Sequence, residues 1–183
     1  MKRSFLWLLP VAGVLAGCAS EGYQPYATRG LNTPYTREHD VFTLERTACF
    51  GFCPVYKVSV DDRDILVFEG ERYVKEAGGA VSKRLAPGSF RKLVAIAREY
   101  DFASYDARYP NEEGDNCGAV ATDLPSIEIA FDAGRFDHAV RLDQGCMGFD
   151  GRERFDEMVL KIDEVLNLDD WIGPREDFYG AKE

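Results

Sequence analysis

The side chains best suited to chemistry in this 183-residue chain are its five cysteines, Cys18, Cys49, Cys53, Cys117 and Cys146. Thiolate exchange, metal ligation and disulfide cross-linking are the chemistries open to them. Cys49-Phe50-Gly51-Phe52-Cys53 places three residues between two thiols. Redox pairs usually carry two and sit at a helix start, where the thiolate is stabilised. A zinc site needs four ligands, and no histidine lies near this run. With Cys18 assigned to lipid, as argued below, four cysteines remain, and an even number in an oxidising compartment reads as disulfides. Of the possible pairings we favour Cys49–Cys53 with Cys117–Cys146. In an extended strand, residues four apart lie about 13 Å apart, beyond disulfide reach. The short run must therefore bend, and Gly51 permits it. Pro54 can then open a strand with no donor to lose.

Other groups carry weaker signals. His39 lies where the N-terminal segment joins the domain. His138 sits at an apolar-parity position of a strand and reads as a core or rim residue. No Ser-His-Asp or Cys-His order of a known type occurs. Asp123, before Leu124-Pro125, and Asp143, before Gln144-Gly145, both border a hairpin. Such acids fix turns through backbone hydrogen bonds, or, on a hydrolase reading, serve as catalytic carboxylates. Asn111-Glu112-Glu113-Gly114-Asp115-Asn116 lacks EF-hand spacing and reads as a solvated loop. No metal and no cofactor is expected.

The elements that must position these residues follow from periodicity. Val41 to Thr47 alternates loosely and Val55 to Val60 alternates well, with Tyr56, Val58 and Val60 on one side. Asp61-Asp62-Arg63-Asp64 reads as a turn and Ile65 to Phe68 as a strand. Arg72 to Lys75 is expected as a further strand after a turn at Gly70, with Gly78-Gly79 ending the meander. Phe90, Leu93, Val94 and Ala97 follow a helical stripe in a helix expected over about 87–100, with Pro87 in its first turn. Residues 103–122 read as irregular. Ile127, Ile129 and Phe131 start a second hairpin, which turns at Asp132-Ala133-Gly134-Arg135. A last helix is expected from Asp150, with Asp150 and Glu153 as capping pair and Phe155, Met158, Val159, Ile162, Val165 and Leu166 as its apolar stripe. The class is therefore α+β: an antiparallel sheet built from two strand groups, each followed by a helix, with both helices on one face.

The first residues carry an address. Lys2 and Arg3 form a positive n-region, and Phe5 to Val14 an apolar stretch too short to span a bilayer. Leu15-Ala16-Gly17-Cys18 resembles the lipobox of bacterial lipoprotein precursors, in which the cysteine accepts diacylglycerol. Residues 1–17 are thus expected as a signal peptide, 18–40 as lipidated cysteine and flexible tether, 41–172 as a single domain and 173–183 as a tail. Two or more acyl chains together hold a protein firmly on a membrane. Ala19 follows the cysteine where Asp would favour inner-membrane retention, which favours an outer membrane facing the periplasm, if the organism has one.

Composition bounds the rest. With 45% hydrophobic residues the chain can bury a core. A formal net charge of −10 argues against nucleic-acid binding, which needs clustered Lys and Arg.

Leu44-Glu45-Arg46-Thr47-Ala48-Cys49-Phe50-Gly51-Phe52-Cys53-Pro54-Val55-Tyr56 resembles the opening signature of a bacterial family described as a domain of unknown function, number 6438. Phe68-Glu69-Gly70 with Tyr73-Val74, Thr122-Asp123-Leu124-Pro125, Ile162-Asp163 and Trp171 also match. The likeness spans about residues 41–172. It implies an exported or lipid-anchored protein and no particular activity, substrate or cofactor. Family members tend to carry an aromatic after the acid matching Asp143, where this chain has Gln144.

The leading functional expectation is a non-enzymatic envelope lipoprotein, held on the membrane through Cys18 and binding an envelope protein or cell-wall component. Phe50, Phe52, Asp123 and Asp143 are the candidate binding surface. The enzyme alternative is a thiol-redox protein using Cys49 and Cys53; a wall hydrolase using Asp123 and Asp143 ranks below it. Cys18→Ser should abolish labelling by radioactive palmitate and either release the protein from membranes or block its processing. Equal labelling of the variant would refute the anchor.

Overall fold

The computed structural model describes residues 39–134 and 136–174. The expected signal peptide, the expected lipidation site Cys18, the expected tether up to residue 38 and the tail from residue 175 lie outside the described residues. Among the described residues, no helix is long and apolar enough to cross a membrane.

The chain folds as a mixed α+β structure with a mostly antiparallel sheet. Its first strands are β1 (Val41–Arg46), β2 (Val55–Asp61), β3 (Ile65–Arg72) and β4 (Gly79–Arg84), followed by helix α1 (Ser89–Glu99). A 3-10 turn at Phe102–Ser104 leads to the short strands β5 (Arg108–Tyr109) and β6 (Ala119–Val120). Strands β7 (Ser126–Ala133), β8 (Phe136–Asp143) and β9 (Cys146–Met147) precede helices α2 (Arg152–Leu166) and α3 (Asp169–Ile172). The main sheet runs β4-β3-β2-β1-β7-β8-β5, and β6 pairs with β9 in a second, two-stranded sheet. Among the described residues only β5 runs parallel to its neighbour, β8.

Register aligns the apolar positions in rows across the sheet. Phe42 faces Val60 on one side and Phe131 on the other; Leu44 faces Val58 and Ile129. All six are buried, because the period of two sends alternate residues of each strand to one face. The opposite face carries charge, including Glu45 beside Lys57 and the Glu128–Arg141 ion pair. Phe90, Leu93, Ile96 and Ala97 of α1 and Phe155, Met158, Val159, Ile162 and Leu166 of α2 belong to the same core as the sheet.

Three local expectations are corrected. No strand spans 72–75: β3 continues through Gly70 to Arg72, and Gly79 begins β4 rather than closing the meander. Gly70 is needed for close approach, since a Cβ there would lie 2.0 Å from the Glu76 carbonyl oxygen. Asp150 does not cap α2. Gly151, at φ 84°, takes that place with no side-chain cap, and its carbonyl accepts the Tyr105 hydroxyl at 3.2 Å. Helix α1 begins at Ser89, after Pro87, because a distant residue caps it. The Asp64 carboxylate, from the β2–β3 turn, accepts the amides of Gly88 at 2.7 Å and Phe90 at 2.8 Å. Its neighbour Asp61 closes the turn. Burial would raise that carboxyl, but the Ile65 and Arg63 amides and the Arg63 guanidinium hold it below its ordinary value. The irregular stretch after α1 holds the 3-10 turn, β5 and β6.

Both favoured cysteine pairs lie at disulfide-bonding distance, with Cα separations of 5.8 Å for Cys49 and Cys53 and 5.4 Å for Cys117 and Cys146. The second closes a loop of 29 positions. Loop-closure entropy gives it about 3.5 kcal/mol against about 2 for the short loop. Urea unfolding of the paired Cys→Ala variants should show that order, with the Cys117/Cys146 variant the less stable. The reverse order would count against the cross-links acting through loop closure.

Candidate functional site

The Cys49–Cys53 loop joins β1 to β2 and stands at one end of the sheet. Its base is latched to the start of β7: the Thr47 amide donates to the Ser126 carbonyl at 3.0 Å, and the Ser126 amide donates to Thr47 Oγ1 at 2.8 Å. Its tip is held by the Phe50 amide, which donates to the Asp123 carbonyl at 3.1 Å. Gly51, at φ 147°, makes the bend, and its amide reaches back to the Cys49 carbonyl at 3.0 Å. The Phe50 ring is 90% exposed. Phe52 is about half exposed and meets the Tyr73 ring edge-on at 5.2 Å.

Of the predicted surface residues, Phe50, Phe52 and Asp123 are therefore brought together. Asp123 adopts φ 70°, and its carboxylate is exposed, with Thr122 Oγ1 at 3.3 Å. Asp143 is a step removed. Its Oδ1 accepts the Gly145 amide at 2.8 Å, and the following Gln144 amide reaches the Pro125 carbonyl at 3.0 Å. That is a turn role. A thiolate released from Cys49 or Cys53 would sit between two strands, without the helix N-terminus that stabilises redox thiolates. His39 lies 3.0 Å from Asp62, and His138 Nε2 lies 3.0 Å from the Tyr105 carbonyl, its ring edge-on to Phe102. The Asn111–Asn116 loop is organised internally: the Asn111 amide reaches Asn116 Oδ1, and Asn111 Nδ2 reaches Asp115 Oδ1. Among the described residues, no group of three or more His, Cys, Asp or Glu side chains is arranged to hold a metal ion.

Periodicity missed a polar cluster under the loop. Arg46 ends β1 and Tyr56 lies near the start of β2, so both flank the loop's base; Arg46 lies 3.6 Å from Asp163 of α2. Burial pushes the Tyr56 hydroxyl up to about 12, against the lowering effect of Arg46. Burial also raises Asp163 to about 6; Arg46 opposes this and Asp169 adds to it. Asp163 Oδ1 and Trp171 Nε1 are buried without a hydrogen-bond partner. Trp171 stacks on Phe68, which stacks on Tyr56, both at 5.3 Å. Arg46, Tyr56, Asp163 and Trp171 all fall within the motif resemblance, which was the one signal in the sequence that could have grouped them.

Residues 40–166 match the model of a family described as a domain of unknown function, DUF6438. No curated protein matches the chain.

The raised Asp163 gives a pH signature. A carboxyl with a folded pKa near 6, against about 3.9 unfolded, binds its proton more tightly in the fold. Its protonation therefore stabilises the fold below about pH 4, and that contribution is lost as pH rises through 6. The side chain is 30% exposed, so solvent screening reduces the effect to about 1–2 kcal/mol. Urea unfolding at pH 4.5 and pH 7.5 should show wild type gaining that much relative to Asp163→Asn on acidification. A difference independent of pH would refute the shift.

Proposed function

The chain belongs to this family, and from that premise we propose that it is a lipid-anchored envelope protein working by contact. The anchor is the lipid on Cys18 after removal of residues 1–17, with the outer membrane facing the periplasm as the favoured place. The domain that follows sets two strand groups, each followed by a helix, with both helices on one face of the sheet. The end of that sheet carrying the Cys49–Cys53 loop is its binding surface.

The observation that carries this reading is Phe50. A large aromatic ring 90% exposed at the head of a cross-linked loop contributes little to the core. The bend, the cross-link and the hydrogen bond to Asp123 hold it in place before any partner arrives. That lowers the ordering cost of binding, and exposed aromatics are preferred anchors at interfaces. The partner is an envelope protein or a cell-wall component.

Phe50→Ala tests the reading. Thermal and urea stability should stay within about 0.5 kcal/mol of wild type, as for exposed positions. Cross-linking in intact envelopes should lose the adducts that wild type forms. An unchanged adduct pattern in the stable variant would refute Phe50 as an anchor.

A further inference from the structure

We propose that the end of the sheet bearing the Cys49–Cys53 loop docks a basic, apolar peptide segment of a partner protein. The inference rests on the contact reading above and adds the partner's chemistry.

Exposed apolar side chains concentrate there. Among the described residues the large exposed hydrophobics are Phe50, Phe52, Val120, Leu124 and Met147, together with Val81 and Leu160. Phe50, Phe52, Val120 and Leu124 lie on segments tied to one another at this end, whereas Met147 pairs with Ala119 and faces the other side of the β6–β9 ladder from Val120. The Phe50 amide joins the loop to Asp123, and the Ala121 amide donates to the Gly145 carbonyl at 2.8 Å. Val120 and Cys146 face each other in the β6–β9 ladder, and Cys146 is bonded to Cys117. Val81 and Leu160 sit apart, on β4 and α2. Apolar side chains gathered on one surface mark an interaction site, whereas scattered ones do not.

The segments that carry them are acidic; at their margin stand Arg72 and Lys75, which flank Tyr73, and Arg152, which donates to the Cys146 carbonyl, with Arg72 paired to Glu71 and Arg152 to Asp156. No Lys or Arg occurs from Thr47 to Tyr56, from Tyr109 to Gly134, or from Leu142 to Gly151. Within those segments Glu112, Glu113, Asp115, Asp123 and Asp150 are exposed. Among the described residues none of the five makes an ion pair. An apolar centre with an unpaired carboxylate rim complements a segment whose apolar side chains are interspersed with Lys or Arg. Charge of that kind steers encounter and selects among partners. It also disfavours an anionic lipid surface and a second copy, which would bring the same sign against itself.

The probe is a fluorescent peptide of alternating Leu and Lys, with a Leu/Glu peptide as counterpart. The protein is the full, oxidised chain carrying Cys18→Ser, so that no lipid intervenes. Anisotropy titration should show saturable binding of the Leu/Lys peptide only, weakening as salt screens the rim. Phe50→Ser should weaken it about tenfold or more, and Glu113→Lys with Asp123→Asn should also weaken it. Leu160→Ser, an exposed apolar site elsewhere, should leave it unchanged. Equal loss in Leu160→Ser, or equal binding of the Leu/Glu peptide, would show attraction by net charge or apolarity alone and overturn the proposal. Phe50-dependent flotation with phosphatidylcholine/phosphatidylglycerol vesicles, or a dimer dissolved by Phe50→Ser, would overturn it in favour of lipid or self-association. If the Leu/Lys peptide fails while Phe50→Ala still loses its envelope adducts, the partner chemistry is wrong and the contact reading stands. If both fail, both fall.

Discussion

Strand β1 hydrogen-bonds along both of its edges, to β2 on one side and to β7 on the other. β7 follows more than seventy residues later in the chain, so this pairing closes a long loop whose entropy must be offset by what it buries. Phe42 and Leu44 do this. Each is fully buried and faces an apolar side chain on both neighbouring strands. Phe42 and Phe131 also meet as tilted rings 4.9 Å apart, the kind of aromatic contact that adds to area burial. Because the side-chain period is two, a slip of one residue in β1 would turn both Phe42 and Leu44 out of the core. One strand thus fixes the register of strand groups drawn from distant parts of the chain.

The candidate surface depends on that register. Thr47 exchanges hydrogen bonds with Ser126 at the point where β1 and β7 leave the sheet together. Phe50 can therefore reach Asp123, and the Cys49–Cys53 loop stands beside the segment carrying Val120 and Leu124. The Cys117–Cys146 bond ties that segment to β9. The surface is assembled from separate segments held by few contacts each, and cross-links of this kind limit how far such segments open.

Beneath it, Arg46 and Asp163 form an ion pair whose geometry is incomplete. The buried Asp163 Oδ1 and the Trp171 indole N–H lack hydrogen-bond partners. Buried ion pairs are weak contributors to stability when their remaining lone pairs go unmet. The arrangement instead fixes where the loop's base sits relative to α2, because Arg46 is the last residue of β1 and Asp163 lies on the helix. A purely apolar pair at these positions would hold the strand end less specifically.

The sequence by itself determined the features that are local. Alternation placed β1, β2, β7 and β8, and the helical stripes of α1 and α2 were legible from Phe90 and Phe155 onward, because both periods are properties of consecutive residues. The bend at Gly51 followed from pairing Cys49 with Cys53, because an extended run of that length cannot be bridged. Tertiary structure decided what depends on residues far apart. Asp64 caps α1 across 24 and 26 positions, displacing the start expected from Pro87. Gly70 serves close approach to Glu76 instead of a turn, and Gly151 replaces Asp150 at the start of α2 because Tyr105 packs against it. Phe50 and Asp123 were both readable as candidates, but their meeting was not, since it requires the β1–β7 pairing. The Arg46–Asp163 cluster was hidden for the same reason. Long-range hydrogen bonds and ion pairs leave no period in the chain, and only the folded register brings their partners within reach.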